Sequence, residues 1–340
     1  MVRLKVVNWR CIEDLELELS RINIFIGPNS TGKSSLAYAI YFASKSKDSD
    51  PRSLLRQLYG CEFDKVARLV DNIPQLPISI RIDGSEFSVE LKEQKLEVTN
   101  LLTPPWTDEF LLPSKRVGYI QILMLLPKII GELKNKPEAA FIGSFAGSFF
   151  ELFKTLPIFP PFGMFVSDYV RALTGQRLEP IKGEMGDAGS YIVIYTLFSF
   201  LFELYTQDPY TKLQLPAELS PDGLLDFAIS DSVMRKAPEN SLVVMEEPEI
   251  HKNPLRIEEF TENMVKTVLD RKLTLIMTTH SDIPPITVGK LIAKKHLTPE
   301  EVKVYYFKRD PWTKTSEIKV YEDGTLESLP DTEELITHLF

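Results

Sequence analysis

The sequence is poor in cysteine, has no excess of positive charge and contains no long apolar run. Its 340 residues include only two cysteines, Cys11 and Cys61, which cannot form a disulfide framework or a multi-thiolate metal site. This scarcity suits a reducing compartment, and we expect a cytoplasmic protein. Lysine and arginine total 39 against 48 acidic residues, a net charge of −9. Because sequence-independent DNA affinity comes from clustered cations, this balance argues against a protein coated in nucleic acid, although a local basic patch is still allowed.

The hydrophobic pattern of the sequence also indicates no membrane-spanning or targeting segment. The longest uncharged apolar stretch, residues 188–202, is shorter than the ~20 residues that cross a bilayer, and the N-terminus lacks the apolar core of a secretory signal. We therefore expect no membrane span. Hydrophobic residues make up 44% and charged residues 26%, which excludes a fibrous or disordered chain.

Hydrophobic periodicity predicts alternating strands and helices. An Asp83-Gly84 turn between alternating runs predicts a β-hairpin. The predicted strands are residues 2–7, 14–19, 22–26, 78–82, 87–91, 241–245, 273–277, 302–307 and 317–320. The predicted helices are residues 35–43, 50–73, a buried helix 191–205, and 254–270, with several more between 105 and 185.

A phosphate-binding motif follows the strand at 22–26. Residues 27–34 fit the pattern G-x-x-x-x-G-K-[ST] in full, between an apolar strand and an amphipathic helix. Glycines let successive N–H groups turn inward, and the helix adds its positive N-terminal end. Lys33 is expected to reach the β- and γ-phosphates, and Ser34 offers a hydroxyl to Mg²⁺. The predicted nucleotide-binding residues are Gly27, Pro28, Asn29, Ser30, Thr31, Gly32, Lys33, Ser34 and Ser35.

Two further strands end in polar residues that suit nucleotide hydrolysis. The strand at 241–245 leads into Glu246 and Glu247, and the strand at 273–277 leads into Thr279-His280-Ser281. Parallel strands place such residues at the carboxyl edge of a sheet, where ligands bind. We expect Glu246 to hold Mg²⁺, Glu247 to orient or deprotonate the attacking water, and a neutral His280 to bond the γ-phosphate or the water.

These motifs resemble ABC-type ATPases of the SMC, RecF and overcoming-lysogenization-defect group, including small stand-alone prokaryotic AAA-type ATP-binding proteins. Residues 7–29 resemble the family's first strands, residues 246–251 its Walker B and D-loop run, and residues 279–281 its switch histidine segment. The resemblance implies ATP and Mg²⁺ as cofactors. It also implies that two heads sandwich two ATP molecules, each completed by a signature loop from the partner.

The sequence departs from the family's pattern at three places. Glu246 stands where relatives usually have Asp. The signature loop is degenerate, and its candidate at the start of the predicted helix 191–205 is Asp187, Ala188, Gly189 and Ser190. There Asp187 would repel a γ-phosphate. Gln121 is the candidate for the glutamine of the Q-loop.

The fold class that follows is a mixed α/β P-loop NTPase, an ABC ATPase-like head with an antiparallel β-lobe and a helical lobe. We expect a nucleotide-binding core at residues 1–50 and 225–340, a β-lobe insertion at 51–100, and a helical lobe with the signature-like loop at 101–224. The absence of heptads excludes long coiled-coil arms. We also expect no nuclease domain of the kind found in the lysogenization-defect relatives, because few residues follow His280.

The predicted function is Mg²⁺-dependent ATP binding and hydrolysis that drives head dimerisation and regulates a partner protein or nucleic acid. The expected partners are a second copy of the chain, in an ATP-dependent homodimer, and a protein that binds the apolar helical lobe. Two alternatives stay open: a weakly hydrolysing nucleotide switch or scaffold, and a RecF-like DNA-repair ATPase that binds DNA.

Overall fold

A computed structural model describes residues 1–133, 160–174, 181–185, 189–195 and 202–328. Contacts divide the chain into two units. The first unit comprises Met1–Arg56, Cys61–Leu111 and Pro238–Phe340, and the second comprises Gln57–Gly60 and Leu112–Ala237. Residues 101–111 therefore belong to the first unit and residues 225–237 to the second. The sequence-based boundaries instead assign residues 101–111 to the helical lobe and residues 225–237 to the nucleotide-binding core. Most of the expected β-lobe belongs to the first unit.

The described part of the chain contains both strands and helices. The strands are β1 (Val2–Trp9), β2 (Ile12–Leu19), β3 (Ile22–Ile26), β4 (Leu69–Val70), β5 (Ile73–Pro74), β6 (Ile78–Ile82), β7 (Ser85–Lys92), β8 (Lys95–Asn100), β9 (Glu109–Leu112), β10 (Ile181–Glu184), β11 (Ser190–Tyr195), β12 (Phe202–Gln207), β13 (Gln214–Pro216), β14 (Leu242–Glu246), β15 (Thr274–Thr279), β16 (Val302–Arg309) and β17 (Thr313–Ile318). The α-helices are α1 (Lys33–Lys45), α2 (Pro51–Tyr59), α3 (Phe63–Val66), α4 (Arg116–Leu133), α5 (Phe162–Thr174), α6 (Asp222–Lys236), α7 (Pro254–Asp270) and α8 (Ile283–Ala293).

A six-stranded sheet forms the centre of the first unit, in the order β17-β16-β3-β15-β14-β9. Its four middle strands run parallel, with Ile24 opposite both Met277 and Val304. Every residue of β3 and β14 is buried, which is typical of parallel strands covered on both faces. The carboxyl ends of β3, β14 and β15 consequently meet at one edge of this sheet.

A five-stranded antiparallel sheet, in the order β2-β1-β6-β7-β8, completes the first unit. The predicted hairpin is confirmed, because β6 and β7 pair across the turn that contains Asp83 and Gly84. Aromatic rings join this sheet to α1. The centroid of the Phe42 ring lies 5.3 Å from the ring centroid of Trp9 and 5.2 Å from that of Phe87. The rings of Phe42 and Phe87 pack edge to face.

The second unit contains a four-stranded antiparallel sheet, β10-β11-β12-β13, together with α4, α5 and α6. A buried ion pair joins α4 to α6, with Arg116 Nε 2.5 Å and Nη2 2.9 Å from the two oxygens of Asp226. Loss of either residue would leave a buried charge without its partner, which typically lowers the free energy of unfolding by about 3–5 kcal/mol. Burial also raises the pKa of Tyr191, whose protonated hydroxyl donates to Asp231 at 2.5 Å.

The predicted helix at 191–205 is wrong. Residues 190–195 and 202–207 are the paired strands β11 and β12, with Ser190 opposite Gln207. A continuous apolar run is compatible with either a buried helix or a buried strand, and here pairing between strands decides the outcome. The helical interpretation of residues 50–73 is correct only for α2 and α3, because the remainder forms the short hairpin β4–β5. The expected helical lobe is thus a mixed unit with its own sheet.

In the described part of the chain, no helix is long and apolar enough to cross a membrane.

Candidate functional site

The phosphate loop connects β3 to α1 at the edge where three parallel strands end. Gly27 and Gly32 adopt φ values of +141° and +107°, which side-chain-bearing residues rarely adopt. A Cβ at Gly27 would also overlap the carbonyl oxygen of Phe307, and one at Gly32 would overlap the hydroxyl of Thr313. The two glycines are therefore required both by the turn and by its close approach to β16 and β17.

Lys33, the first residue of α1, closes the loop on itself. Its side chain is buried, and its ammonium donates to the carbonyl oxygens of Gly27 at 2.6 Å and Pro28 at 2.7 Å. These carbonyls hold the ammonium at the mouth of the loop, where an anionic phosphate would be a stronger acceptor.

His280 and Glu247 lie beside the same loop. The Nδ1 atom of His280 is 3.0 Å from the Gly27 carbonyl oxygen, and its Nε2 atom is 3.4 Å from Glu247 Oε1. The same Nδ1 atom is 3.4 Å from the Lys33 ammonium, so the tautomer of the ring decides whether it donates to the carbonyl or accepts from the ammonium. The side chains of His280 and Glu247 are both about one-third exposed. The sequence-predicted trio of Lys33, Glu247 and His280 is thus brought together at one cleft.

Glu246 ends β14 as a buried carboxylate whose Oε2 accepts a hydrogen bond of 2.7 Å from the Tyr38 hydroxyl. Tyr38 lies one turn after Ser34 on α1, so the helix that presents the serine also positions the acid. A hydroxyl and a carboxylate are hard oxygen ligands that fit Mg²⁺, which typically takes one or two carboxylates together with phosphate and water. Across the described residues, no cluster of three or more His, Cys, Asp or Glu forms a separate metal site.

Two contacts at this site were not predicted. Tyr38 is one; its signal is its position four residues after Ser34 on the same helix face. The other is Glu249, whose Oε1 accepts from the backbone N–H of His280 at 2.7 Å and so ties the loop after β14 to the loop after β15. No local sequence pattern predicts a contact between residues so far apart in the sequence.

The candidate signature loop does not begin a helix. Asp187 and Ala188 lie outside the described residues, while Gly189 precedes β11 and Ser190 is its first residue. A Cβ at Gly189 would overlap the Gln207 carbonyl oxygen, so this glycine serves strand pairing. The Q-loop candidate Gln121 lies on α4 and donates to Asp222 at 3.2 Å within the second unit.

A different loop has the local structure expected of a signature. Residues 219–223, Leu-Ser-Pro-Asp-Gly, lead into α6, and α6 is followed directly by β14. Leu219 is 69% exposed, whereas the Ser220 hydroxyl is turned inward and donates to the Pro216 carbonyl at 2.9 Å. The sequence signal for this loop is a Ser-x-x-Gly sequence at the start of the helix that precedes β14, the strand that ends in Glu246.

Parts of the chain are similar in sequence to known proteins. Residues 1–113 match the AAA ATPase domain family. The DNA replication and repair protein RecF of Bacillus mycoides is 24% identical over 208 residues, 58% of this chain and 48% of the relative. The RecF protein of Bacillus cytotoxicus is 26% identical over 142 residues, 40% of this chain and 33% of the relative. The chain therefore spans about half the length of the curated relatives it matches, or less.

Solved structures share the fold across the whole chain. The SMC head domain of Pyrococcus furiosus, bound to the C-terminal domain of ScpA, superposes with a TM-score of 0.53 at 10% identity and full coverage of both chains. The SMC head of Pyrococcus yayanosii gives a TM-score of 0.52 at 9% identity, also with full coverage. The protein therefore has the fold of an SMC/RecF-like ABC-type ATPase head, and its residues 1–113 are similar to the AAA ATPase domain family.

Proposed function

We propose that this protein binds and hydrolyses ATP with Mg²⁺, and that ATP controls the association of two copies of the chain. The observation that carries the proposal is the convergence of Lys33, Glu247 and His280 on the cleft of the phosphate loop. Association in turn regulates a protein or nucleic-acid partner in the cytoplasm.

The phosphate loop supplies the binding energy. When a triphosphate enters, the Lys33 ammonium exchanges the Gly27 and Pro28 carbonyls for phosphate oxygens, and the N–H groups at the start of α1 point at the same anion. Ser34 and Glu246 would hold the magnesium ion, which neutralises charge on the phosphates. The Tyr38 hydroxyl fixes one carboxylate oxygen of Glu246 by a hydrogen bond of 2.7 Å.

Glu247 and His280 act on the attacking water. The Glu247 carboxylate accepts a water proton as the water oxygen attacks the γ-phosphorus, the bond from that phosphorus to the bridging oxygen breaks, and ADP leaves. His280 Nε2 bonds the water or the γ-phosphate. Glu249 keeps His280 in place by accepting from its backbone N–H, and is therefore a positioning residue.

Dimerisation supplies the second half of each site. The family resemblance requires a helix-start loop from the other copy, and we assign this role to residues 219–223 in place of residues 187–190. The reason is that residues 219–223 lead into a helix, whereas Ser190 begins a strand. The exposed Leu219 side chain would be covered when two copies meet.

A protein partner fits the second unit. Tyr210 is 82% exposed and Leu213 is 58% exposed, so apolar surface is available near the loop 219–223 in sequence. One structural neighbour is an SMC head bound to the C-terminal domain of ScpA, which supports protein binding by heads of this fold.

Glu247→Gln tests the proposal. The change keeps the size of the side chain but removes the base and one negative charge beside the phosphates. The variant should bind ATP at least as well as the wild type, hydrolyse it poorly and accumulate as a dimer with ATP, measured by light scattering. Lys33→Ala should stay monomeric with ATP, and Glu300→Gln, an exposed glutamate on the same chain, should behave as wild type.

A Glu247→Gln protein that binds ATP but stays monomeric would refute the two-headed site and favour the nucleotide-switch alternative. The RecF-named relatives motivate the DNA-binding alternative. An ATP-dependent, salt-sensitive shift of a DNA fragment by the wild-type protein would support it.

A further inference from the structure

The cleft at the phosphate loop has a second set of lining residues that the phosphate chemistry does not use. The cleft encloses about 470 Å³, within the range of small-molecule sites. Besides the phosphate loop, Glu247 and His280, it is lined by Arg10, Cys11, Lys65, Ala67, Leu69, Arg309 and Trp312. Among these residues, Ala67, Leu69 and Trp312 are apolar and suit an aromatic heterocycle, whereas the cations suit the phosphates.

The ring of Trp312 is held by a fixed cation. The guanidinium carbon of Arg68 lies 4.6 Å from the ring centroid. Arg68 itself is buried and donates to Asn8 Oδ1 at 3.0 Å, and its Nη1 lies 3.1 Å from a Glu13 carboxylate oxygen. A guanidinium with two other partners cannot follow a rotating ring, so the stack fixes the orientation of Trp312.

The turn that carries Trp312 is bonded to the phosphate loop. The Thr313 hydroxyl donates to the Thr31 carbonyl oxygen at 2.8 Å, and Arg309 Nη1 lies 3.4 Å from the Ser30 carbonyl oxygen. The backbone N–H of Thr313 also donates to the Cys11 carbonyl at 2.9 Å. The turn that carries Trp312 is thus hydrogen-bonded to the phosphate loop, and both line the same cleft.

We propose that Trp312, oriented by Arg68, is the stacking surface for the base of the bound nucleoside triphosphate, and that Leu69 and Ala67 complete this apolar subsite. The inference rests on the proposed nucleotide binding and adds the group that recognises the base. Stacking gains affinity from the π-face of the base, so the subsite distinguishes a nucleotide from a bare triphosphate.

The three tryptophans of the chain make the proposal measurable. Trp9 and Trp106 are buried, with 0% and 5% exposure, and neither lines this cleft. ATP should therefore quench the fluorescence of Trp312 in the wild-type protein, and inorganic tripolyphosphate should bind without that quenching. Trp312→Phe should lose the quenching, whereas Trp106→Phe should retain it.

Affinity gives the decisive comparison. By calorimetry, Trp312→Ala should weaken ATP binding about 5- to 150-fold, the range for loss of one base–aromatic stack, and leave tripolyphosphate binding unchanged. Trp312→Phe keeps an aromatic face and should restore most of the ATP affinity. Thermal unfolding of each variant shows whether it remains folded.

The outcomes separate the inference from the proposed function. If neither ATP nor tripolyphosphate binds the wild-type protein, the phosphate-loop function fails. If both bind and Trp312→Ala weakens them equally, or weakens neither, the stacking role of Trp312 is overturned while the phosphate-loop function stands.

Discussion

At the scale of single residues, His280 is the side chain whose contacts point most directly to the chemical step. Its ring lies between the Gly27 carbonyl oxygen and the Glu247 carboxylate, and its backbone is held by Glu249. Because Nδ1 is engaged by the loop, Nε2 is the atom available to a water or a γ-phosphate. That arrangement favours a role in the transition state over a role in ground-state binding.

We predict that His280→Ala lowers kcat for ATP hydrolysis by about 10²- to 10⁴-fold, the usual contribution of a positioned acid or base. ATP affinity should change only a few-fold, because Lys33 and the loop supply most of the binding. Steady-state kinetics and calorimetric titration measure the two effects separately. His296→Ala removes an exposed histidine and should change neither. Equal losses in rate and affinity would assign His280 to nucleotide binding alone.

At the scale of elements, the antiparallel pair β11–β12 replaces the helix that periodicity predicts. Gly189 stands at its start, at φ +120° and in close approach to the Gln207 carbonyl oxygen. A helix in this place would have given residues 189 and 190 the role of a helix-start loop. The strand pairing gives Gly189 a structural role instead.

Gly189→Ala should lower the free energy of unfolding by about 2 kcal/mol, since it combines backbone strain with overlap. Gly118→Ala is the matched control, because a Cβ at Gly118 meets nothing within 4 Å and alanine favours the helix α4. Urea unfolding followed by circular dichroism gives both values. If Gly189→Ala left the free energy of unfolding unchanged, that result would contradict the strand register at this position.

At the scale of the whole molecule, the proposed site is complete only when two copies meet. In the dimer that we propose, two-fold symmetry would make each copy give its phosphate loop and Glu247 to one site and residues 219–223 to the other. When different copies carry defects in these two parts, both defects therefore fall in the same site and the other site stays intact.

Mixing two defective variants tests this arrangement. Leu219→Arg places a charge on an exposed side chain that dimerisation would bury, and Glu247→Gln removes the base. Each variant alone should be nearly inactive, whereas an equimolar mixture should regain about a quarter of wild-type ATPase activity, because half of the dimers are mixed and each has one intact site. Mixing Glu247→Gln with Lys33→Ala is the control, since both defects lie in the same half of the site. A mixture of the first pair that stays inactive would exclude residues 219–223 as the contributed loop.

Much of the fold is predictable from local pattern. The strand 22–26 and the helix 254–270 have the predicted bounds, and the Asp-Gly hairpin forms where expected. Periodicity succeeds there because glycine turns and caps limit each segment. It fails at residues 191–205, where a continuous apolar run carries no period and the pairing partners decide between helix and strand.

The sequence by itself determined the phosphate loop, the acidic end of β14 and the histidine after β15, because each is a short motif whose conformation depends on neighbouring residues. Only the tertiary structure decided which side chains meet: Tyr38 on Glu246, Glu249 on the His280 backbone, and Arg68 on Trp312. These pairs are separated by 31 to 244 positions, and contacts of that kind arise from strand order and helix packing, which no local pattern encodes.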